Sequence, residues 1–160
     1  MPATATQQVL NNGSRNLVLK YTFDGASGDV SADTLVNIST LDSTLRAGGL
    51  RLDRAKWSLT GFTCALEWES GATNADLLEL CSGTGDVDFR YIGGIKNNAT
   101  LPTGNVVFTT TGYTASGDGG HVTLWFKKKG EADDTALQLS VDMSASSLTL
   151  TGVAPTITVA

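Results

Sequence analysis

Residues 55–68 read Ala-Lys-Trp-Ser-Leu-Thr-Gly-Phe-Thr-Cys-Ala-Leu-Glu-Trp. On each side of Thr60-Gly61, apolar and polar residues alternate with a period of two, which is the pattern of a half-buried β-strand. A two-residue turn at Thr60-Gly61 would place Trp57 opposite Cys64 and turn the apolar residues of both strands to one face. The segment therefore predicts a β-hairpin with one buried face.

The same alternation extends through most of the chain, and no stretch of ten or more residues shows the helical period. Leu50 and Leu52 lie on the opposite parity to Ala55, which predicts a bulge near Asp53-Arg54 or a break between two strands there. The pattern gives roughly eight to ten short strands. We therefore predict an all-β, single-domain antiparallel β-sandwich or jelly-roll-like fold.

The inward parity of these strands predicts the core. In residues 119–129 this parity carries Val122, Leu124 and Phe126, which leaves Trp125 on the outer face. The complete predicted core is Leu17, Leu19, Tyr21, Phe23, Trp57, Leu59, Phe62, Leu66, Phe89, Val122, Leu124 and Phe126.

The chain divides into three parts by its patterning. Residues 1–14 are polar with little periodicity before Val9, and we expect them to form an extended N-terminal arm. Residues 15–129 form the β-sandwich domain, and residues 130–160 are predicted as a C-terminal β extension or arm of that domain. The candidate interface residues are Val9, Leu10, Asn11, Asn12 and Trp125.

Charge and cysteine content limit the classes of partner and compartment. The 16 acidic and 11 basic residues give a formal charge of −5, which disfavours nucleic acid and anionic membranes as partners. The N-terminus has neither the basic start nor the apolar run of a signal peptide, so we expect synthesis in a cytoplasm. Cys64 and Cys81 are then expected to be reduced thiols in or near the core.

No residue pattern indicates catalysis. His121 is the single histidine and lies on the polar parity of its strand, so we expect it to face solvent. Gly83-Thr84-Gly85-Asp86 is not followed by the Gly-Lys-Ser/Thr of a phosphate loop and is predicted to be a turn. Asp86 and Asp88 share one strand face, as a solvated edge or with a salt bridge to Arg90. We expect no enzymatic activity, no cofactor and no metal.

The tryptophans allow more than one interpretation. Trp125, and with it Trp68, could form a sugar-stacking platform or an interface anchor, or both rings could close the core. The sequence alone leaves these alternatives open.

Four segments together resemble head-decoration, or cement, proteins of tailed bacteriophages, which are small β-rich structural proteins that stabilise the capsid. They are residues 8–20, residues 57–68, the Asp-Phe-Arg-Tyr-Ile-Gly-Gly-Ile of residues 88–95, and residues 119–129. Their order and spacing carry the resemblance. It implies a non-enzymatic virion protein that is made in the host bacterial cytoplasm, binds the major capsid protein on the outer capsid surface, and forms a homotrimer. Two alternatives are a phage tail or neck component and a carbohydrate-binding host-adhesion module.

Overall fold

The computed structural model describes residues 4–24, 28–41, 48–129, 139–142 and 147–150. Almost all of the regular structure in these ranges is β-strand, and the only α-helix, α1 (Ile38–Leu41), is too short to cross a membrane. The strands are β1 (Thr4–Asn12), β2 (Asn16–Asp24), β3 (Asp33–Val36), β4 (Leu50–Thr60), β5 (Thr63–Ser70), β6 (Ala75–Leu80), β7 (Gly83–Asp88), β8 (Ile95–Lys96), β9 (Pro102–Thr111), β10 (Gly119–Lys128), β11 (Leu139–Asp142) and β12 (Ser147–Leu150).

The strands form two main antiparallel sheets. The larger sheet has the order β1-β2-β10-β4-β7, with β8 also paired to β4, and the smaller has the order β3-β9-β5-β6. Strands β11 and β12 pair with each other in a separate two-stranded sheet. The predicted all-β antiparallel sandwich is confirmed, and its two main sheets contain ten strands, within the eight to ten expected; β11 and β12 bring the total in the described residues to twelve.

The centre of the larger sheet shows why the alternating sequence folds this way. Strands β2 and β10 pair in a register that sets Leu19 opposite Leu124 and Tyr21 opposite Val122. Residues that face each other across an antiparallel pair share one side of the sheet, so one face of both strands is apolar and buried. The larger sheet packs this face against the smaller one through a single apolar cluster.

The hydroxyl of Tyr21, in β2, connects the smaller sheet and the edge strand β1 of the larger sheet by hydrogen bonds. It donates to the backbone carbonyl of Leu35 in β3 and accepts a 2.8 Å hydrogen bond from the Gln7 side-chain amide in β1. Burial raises the pKa of Tyr21 above its ordinary value, so the hydroxyl stays protonated and keeps its role as a donor.

The predicted hairpin at Thr60-Gly61 is wrong. Strand β4 belongs to the larger sheet and β5 to the smaller, so the chain crosses from one sheet to the other at this point. Gly61 has φ of +87°, and a Cβ there would collide with the side chain of Asp118, so the crossing requires glycine. The apolar residues of the two strands do face one interior, but they meet across the core instead of side by side.

The predicted bulge is confirmed at Asp53. Trp125 lies opposite Arg54 while the next residue, Phe126, lies opposite Leu52, so Asp53 is the extra residue in β4. The bulge shifts the parity of β4 by one, which returns Leu50 and Leu52 to the core face.

Most of the predicted core is buried, but two of its aromatic residues are only partly so. Trp57 lies opposite Gly85 of β7, at the edge of the larger sheet, and its ring therefore stays partly open to solvent. Phe89 follows the last residue of β7 and packs against the core from the rim. The predicted core residues that the structure buries are Leu17, Leu19, Tyr21, Phe23, Leu59, Phe62, Leu66, Val122, Leu124 and Phe126.

Both ends of the chain contain β-strands. Residues 4–12, predicted as part of an extended arm, are strand β1 and pair with residues 17–24 of β2. In the C-terminal part, Leu139 lies opposite Leu150 and Asp142 opposite Ser147. The rest of residues 130–160 lies outside the described ranges, as do residues 1–3.

Candidate interaction surface

Trp125 lies on the outer face of the larger sheet, because its neighbours Leu124 and Phe126 are buried in the core. Its ring is partly buried, and the guanidinium carbon of Arg54, from the neighbouring strand, lies 5.1 Å from the ring centroid. One ring face is thus occupied by arginine, which leaves less of the ring free to stack on a sugar.

Two arginine–aspartate pairs lie near Trp125. Arg54 binds Asp86 through two hydrogen bonds, Nε to Oδ1 at 2.8 Å and Nη2 to Oδ2 at 2.5 Å. These bonds hold the pKa of Asp86 below its ordinary value. Arg90 binds Asp88 through its side chain and its backbone N–H, which lowers the pKa of Asp88 to about 2. Of the two alternatives for this strand face, a solvated edge or a salt bridge to Arg90, the structure shows the salt bridge.

A depression of about 250 Å³ lies beside this cluster. It brings together two of the predicted interface residues, Asn11 from β1 and Trp125 from β10. The remaining lining comes from Asn16, Val18, Asp53, Arg54, Arg90 and Phe126.

Asn11 and Asn12 also have structural roles at the turn between β1 and β2. The carboxamide oxygen of Asn11 accepts the backbone N–H of Gly13 at 2.9 Å, which is a local turn contact. The Asn12 side chain donates to the carbonyl of Leu41 at 2.9 Å and accepts from the Lys128 ammonium at 2.6 Å. Asn12 therefore ties the turn to α1 and β10.

Val9 and Leu10 are exposed on β1, with 45% and 50% of their surface accessible. Among the described residues, β1 is hydrogen-bonded to β2 alone, so its other edge presents unpaired backbone groups. A register shift between Val9 and Asn11 leaves Leu10 as a bulged residue. The edge and its two apolar side chains are accessible together.

The turn after β7 exposes residues that the sequence did not identify as interface candidates. In the sequence, Tyr91 continues the alternation of Val87 and Phe89, which predicts a strand through Tyr91, but β7 ends at Asp88 and residues 90–92 form one turn of 3-10 helix. Tyr91 is 84% exposed and Ile92 is 62% exposed. The signal that could have revealed this turn is the Gly93-Gly94 pair, since both glycines adopt positive φ.

The residues tested for chemistry are dispersed. His121 is exposed, as predicted. Cys64 is buried, which raises its pKa to about 12, whereas Cys81 is exposed and not in the core; both are free thiols. Trp68, a candidate for an exposed platform, is fully buried, and its indole N–H has no partner. In the part of the chain that the structure describes, no three His, Cys, Asp or Glu side chains cluster to hold a metal ion.

Comparison with known proteins finds no matching family model, no matching curated protein and no matching solved structure.

Proposed function

We propose that this chain is a non-enzymatic structural protein of a bacteriophage virion that binds the outer capsid surface and stabilises the shell. Its partners in this proposal are the major capsid protein and further copies of itself, assembled as a homotrimer. The proposal rests on the resemblance of the sequence to decoration proteins and on one feature of the sheet edges.

That feature is the absence of charge from β1. Natural β-proteins protect their edge strands with charged side chains, proline or bulges, because an open edge pairs with other chains. At the other three ends of the two main sheets, β3 carries Asp33, β6 carries Asp76 and Glu79, and β7 carries two aspartates. Residues 4–12 contain no charged residue and no proline, and only the bulge at Leu10 interrupts them. A strand of this kind is suited to pairing with another protein chain.

Strand pairing suits a protein that reinforces a shell. Each decorating copy adds an interface that must break before neighbouring subunits separate under the pressure of packaged DNA. Symmetric repetition of the contact over the capsid multiplies a modest affinity into avidity. Backbone hydrogen bonds along an edge provide such a contact without a binding pocket.

The first test is the number of copies of this chain in intact purified particles, measured by quantitative mass spectrometry, with the solution mass measured by light scattering. A trimer present in hundreds of copies would support a shell-decorating protein. A few to some tens of copies would assign the chain to the tail or neck instead. Absence from particles, with binding to glycans that Trp125→Ala abolishes, would favour the carbohydrate-binding alternative.

A charged substitution tests whether binding to the particle depends on the β1 edge. Gln8→Lys places a charge in the exposed middle of β1, and Thr84→Lys places the same charge on the exposed face of the opposite edge strand, β7. We expect Gln8→Lys to reduce the copies bound per particle and Thr84→Lys to leave them unchanged. Equal binding of both variants would contradict a role for β1.

A further inference from the structure

The turn at residues 89–94 is held rigidly by its own backbone. The N–H groups of Ile92 and Gly94 both donate to the carbonyl of Phe89, at 3.0 and 2.9 Å, and Gly93 donates to Arg90 at 3.1 Å. Gly93 and Gly94 adopt φ of +85° and +78°, a conformation that other residues rarely accept. The turn thus has its shape before any partner binds.

The turn is also fixed to the sheet beneath it. The N–H of Phe89 donates to the carbonyl of Asp53, the bulged residue of β4, at 2.8 Å, and the Phe89 ring packs against the core. A Cβ on Gly94 would meet the Asp53 side chain at 2.6 Å, so the glycine lets the turn lie tightly against the bulge. These anchors leave Tyr91 and Ile92 directed away from the core.

The exposed side chains of Tyr91 and Ile92 add nothing to the stability of the fold, but their exposure favours binding to a partner. Covering two large apolar side chains on a partner gains the free energy of removing them from water. Tyrosine is enriched among the residues that dominate protein–protein interfaces, and a rigid turn loses little entropy when it binds. Side chains this exposed stand clear of the surface, so the complementary surface must be concave.

The charges beside the turn indicate what kind of macromolecule offers that concave surface. Arg90 is paired with Asp88 and Arg54 with Asp86, so the two arginines add no excess positive charge beside Tyr91 and Ile92, and exposed Lys96, two residues after Gly94, adds one. The whole chain carries a formal charge of −5. A membrane-inserting loop binds best with basic residues at its base, and a nucleic-acid site requires them. A neutral, apolar pocket on a folded protein fits these observations better.

We propose that residues 89–94 form a preorganised anchor, which inserts Tyr91 and Ile92 into an apolar pocket on the capsid subunit to which the chain binds. The identity of that partner rests on the proposed function. The rigid turn and the paired arginines beside it are independent of that proposal.

The test compares binding of the full chain and its variants to purified capsids assembled without it. The double variant Tyr91→Ala/Ile92→Ala removes the anchor, and Leu101→Ala, at a side chain 59% exposed elsewhere, is the matched control. Because these side chains are exposed, we expect all variants to keep the wild-type melting temperature. The double variant should bind at least about tenfold more weakly, as loss of a dominant interface side chain does. Leu101→Ala and the conservative Tyr91→Phe should bind like the wild type.

The outcomes separate the anchor from the proposed function. Equal binding of the wild type and the double variant would overturn the anchor while leaving the decoration function intact. If the wild-type chain does not bind capsids, the proposed function is overturned, and so is the assignment of the capsid as the partner of the anchor. Tyr91-dependent binding to vesicles of phosphatidylserine and phosphatidylcholine would show that the turn inserts into membranes, contrary to the proposal.

Discussion

Trp57 provides a quantitative test of the packing at the edge of the larger sheet. Its ring lies across Gly85 of β7 and is partly buried, and its indole N–H donates to the carbonyl of Cys81 at 3.0 Å. Replacing a fully buried tryptophan by alanine costs about 3–5 kcal/mol. Because the Trp57 ring is only partly buried, it loses only part of that packing, and the lost hydrogen bond adds about 0.5–1.5 kcal/mol. We therefore expect Trp57→Ala to cost about 2–4 kcal/mol.

Trp68 is the comparison, because it is fully buried. Its indole N–H has no partner, and removing a buried unpaired donor returns about 1 kcal/mol of the penalty. Trp68→Ala should therefore cost about 2–4 kcal/mol, close to the cost of Trp57→Ala under the same conditions, although Trp68 is the more deeply buried ring. Urea unfolding followed by far-ultraviolet circular dichroism measures both values without relying on tryptophan fluorescence.

The decisive measurement is a double-mutant cycle between Trp57 and Gly85. A Cβ at Gly85 would overlap the Trp57 ring, so Gly85→Ala alone should cost about 1–3 kcal/mol through overpacking. In the Trp57→Ala background the ring is gone, and the same change should be neutral or should stabilise by about 0.5 kcal/mol, since glycine weakens a strand. The two effects must therefore be strongly non-additive. Additivity within about 0.5 kcal/mol would refute the contact and the β4–β7 register that produces it.

The two thiols should differ in reactivity, because Cys81 is exposed whereas burial raises the pKa of Cys64 to about 12. We expect a maleimide to label Cys81 in the native protein near neutral pH and to label Cys64 only after unfolding. Two labels per native chain, counted by mass spectrometry, would contradict this. Arg90→Gln should raise the pKa of Asp88 from about 2 toward its ordinary value near 4, as followed by carbon-13 NMR of the carboxyl group. Because the folded-state pKa is lowered, the stabilisation from this pair is complete above about pH 4 and is lost as the pH falls toward 2, so wild type and variant should converge in stability there. An unchanged midpoint for Asp88 would show that Arg90 is not the cause of the shift.

Local features of the sheets could be predicted from the sequence because they depend on parity alone. The change of parity between Leu52 and Ala55 requires one extra residue if both are to reach the core, and the structure places it at Asp53. The partners of each strand could not be predicted in the same way. A period of two fixes which residues face inward, but it is the same whether the next strand lies beside the first or across the core from it. For this reason the pattern around Gly61 is compatible with a hairpin and with the crossing that the structure shows.

The candidate surface was predictable only where it follows a regular strand. Trp125 could be assigned to the outer face because its strand alternates without interruption. Its contact with Arg54 depends on the register between β10 and β4, which no local pattern contains. Tyr91 was missed because the alternation continues for one step past the end of β7, where hydrogen bonds to Phe89 and Arg90 turn the chain instead.

The two proposed contacts use different strands of the larger sheet. Strand β1 lies at one end of the order β1-β2-β10-β4-β7, and the turn that carries Tyr91 follows the strand at the other end. The two contacts are nevertheless connected over the sheet, because Asn11 of β1 and Arg90 of the turn line the same depression. If both contacts hold the chain on a particle, the Gln8→Lys and Tyr91→Ala/Ile92→Ala variants should each weaken attachment, and their combination should weaken it further. The reason is that a chain held by one contact keeps its second contact at a high effective concentration near the particle surface.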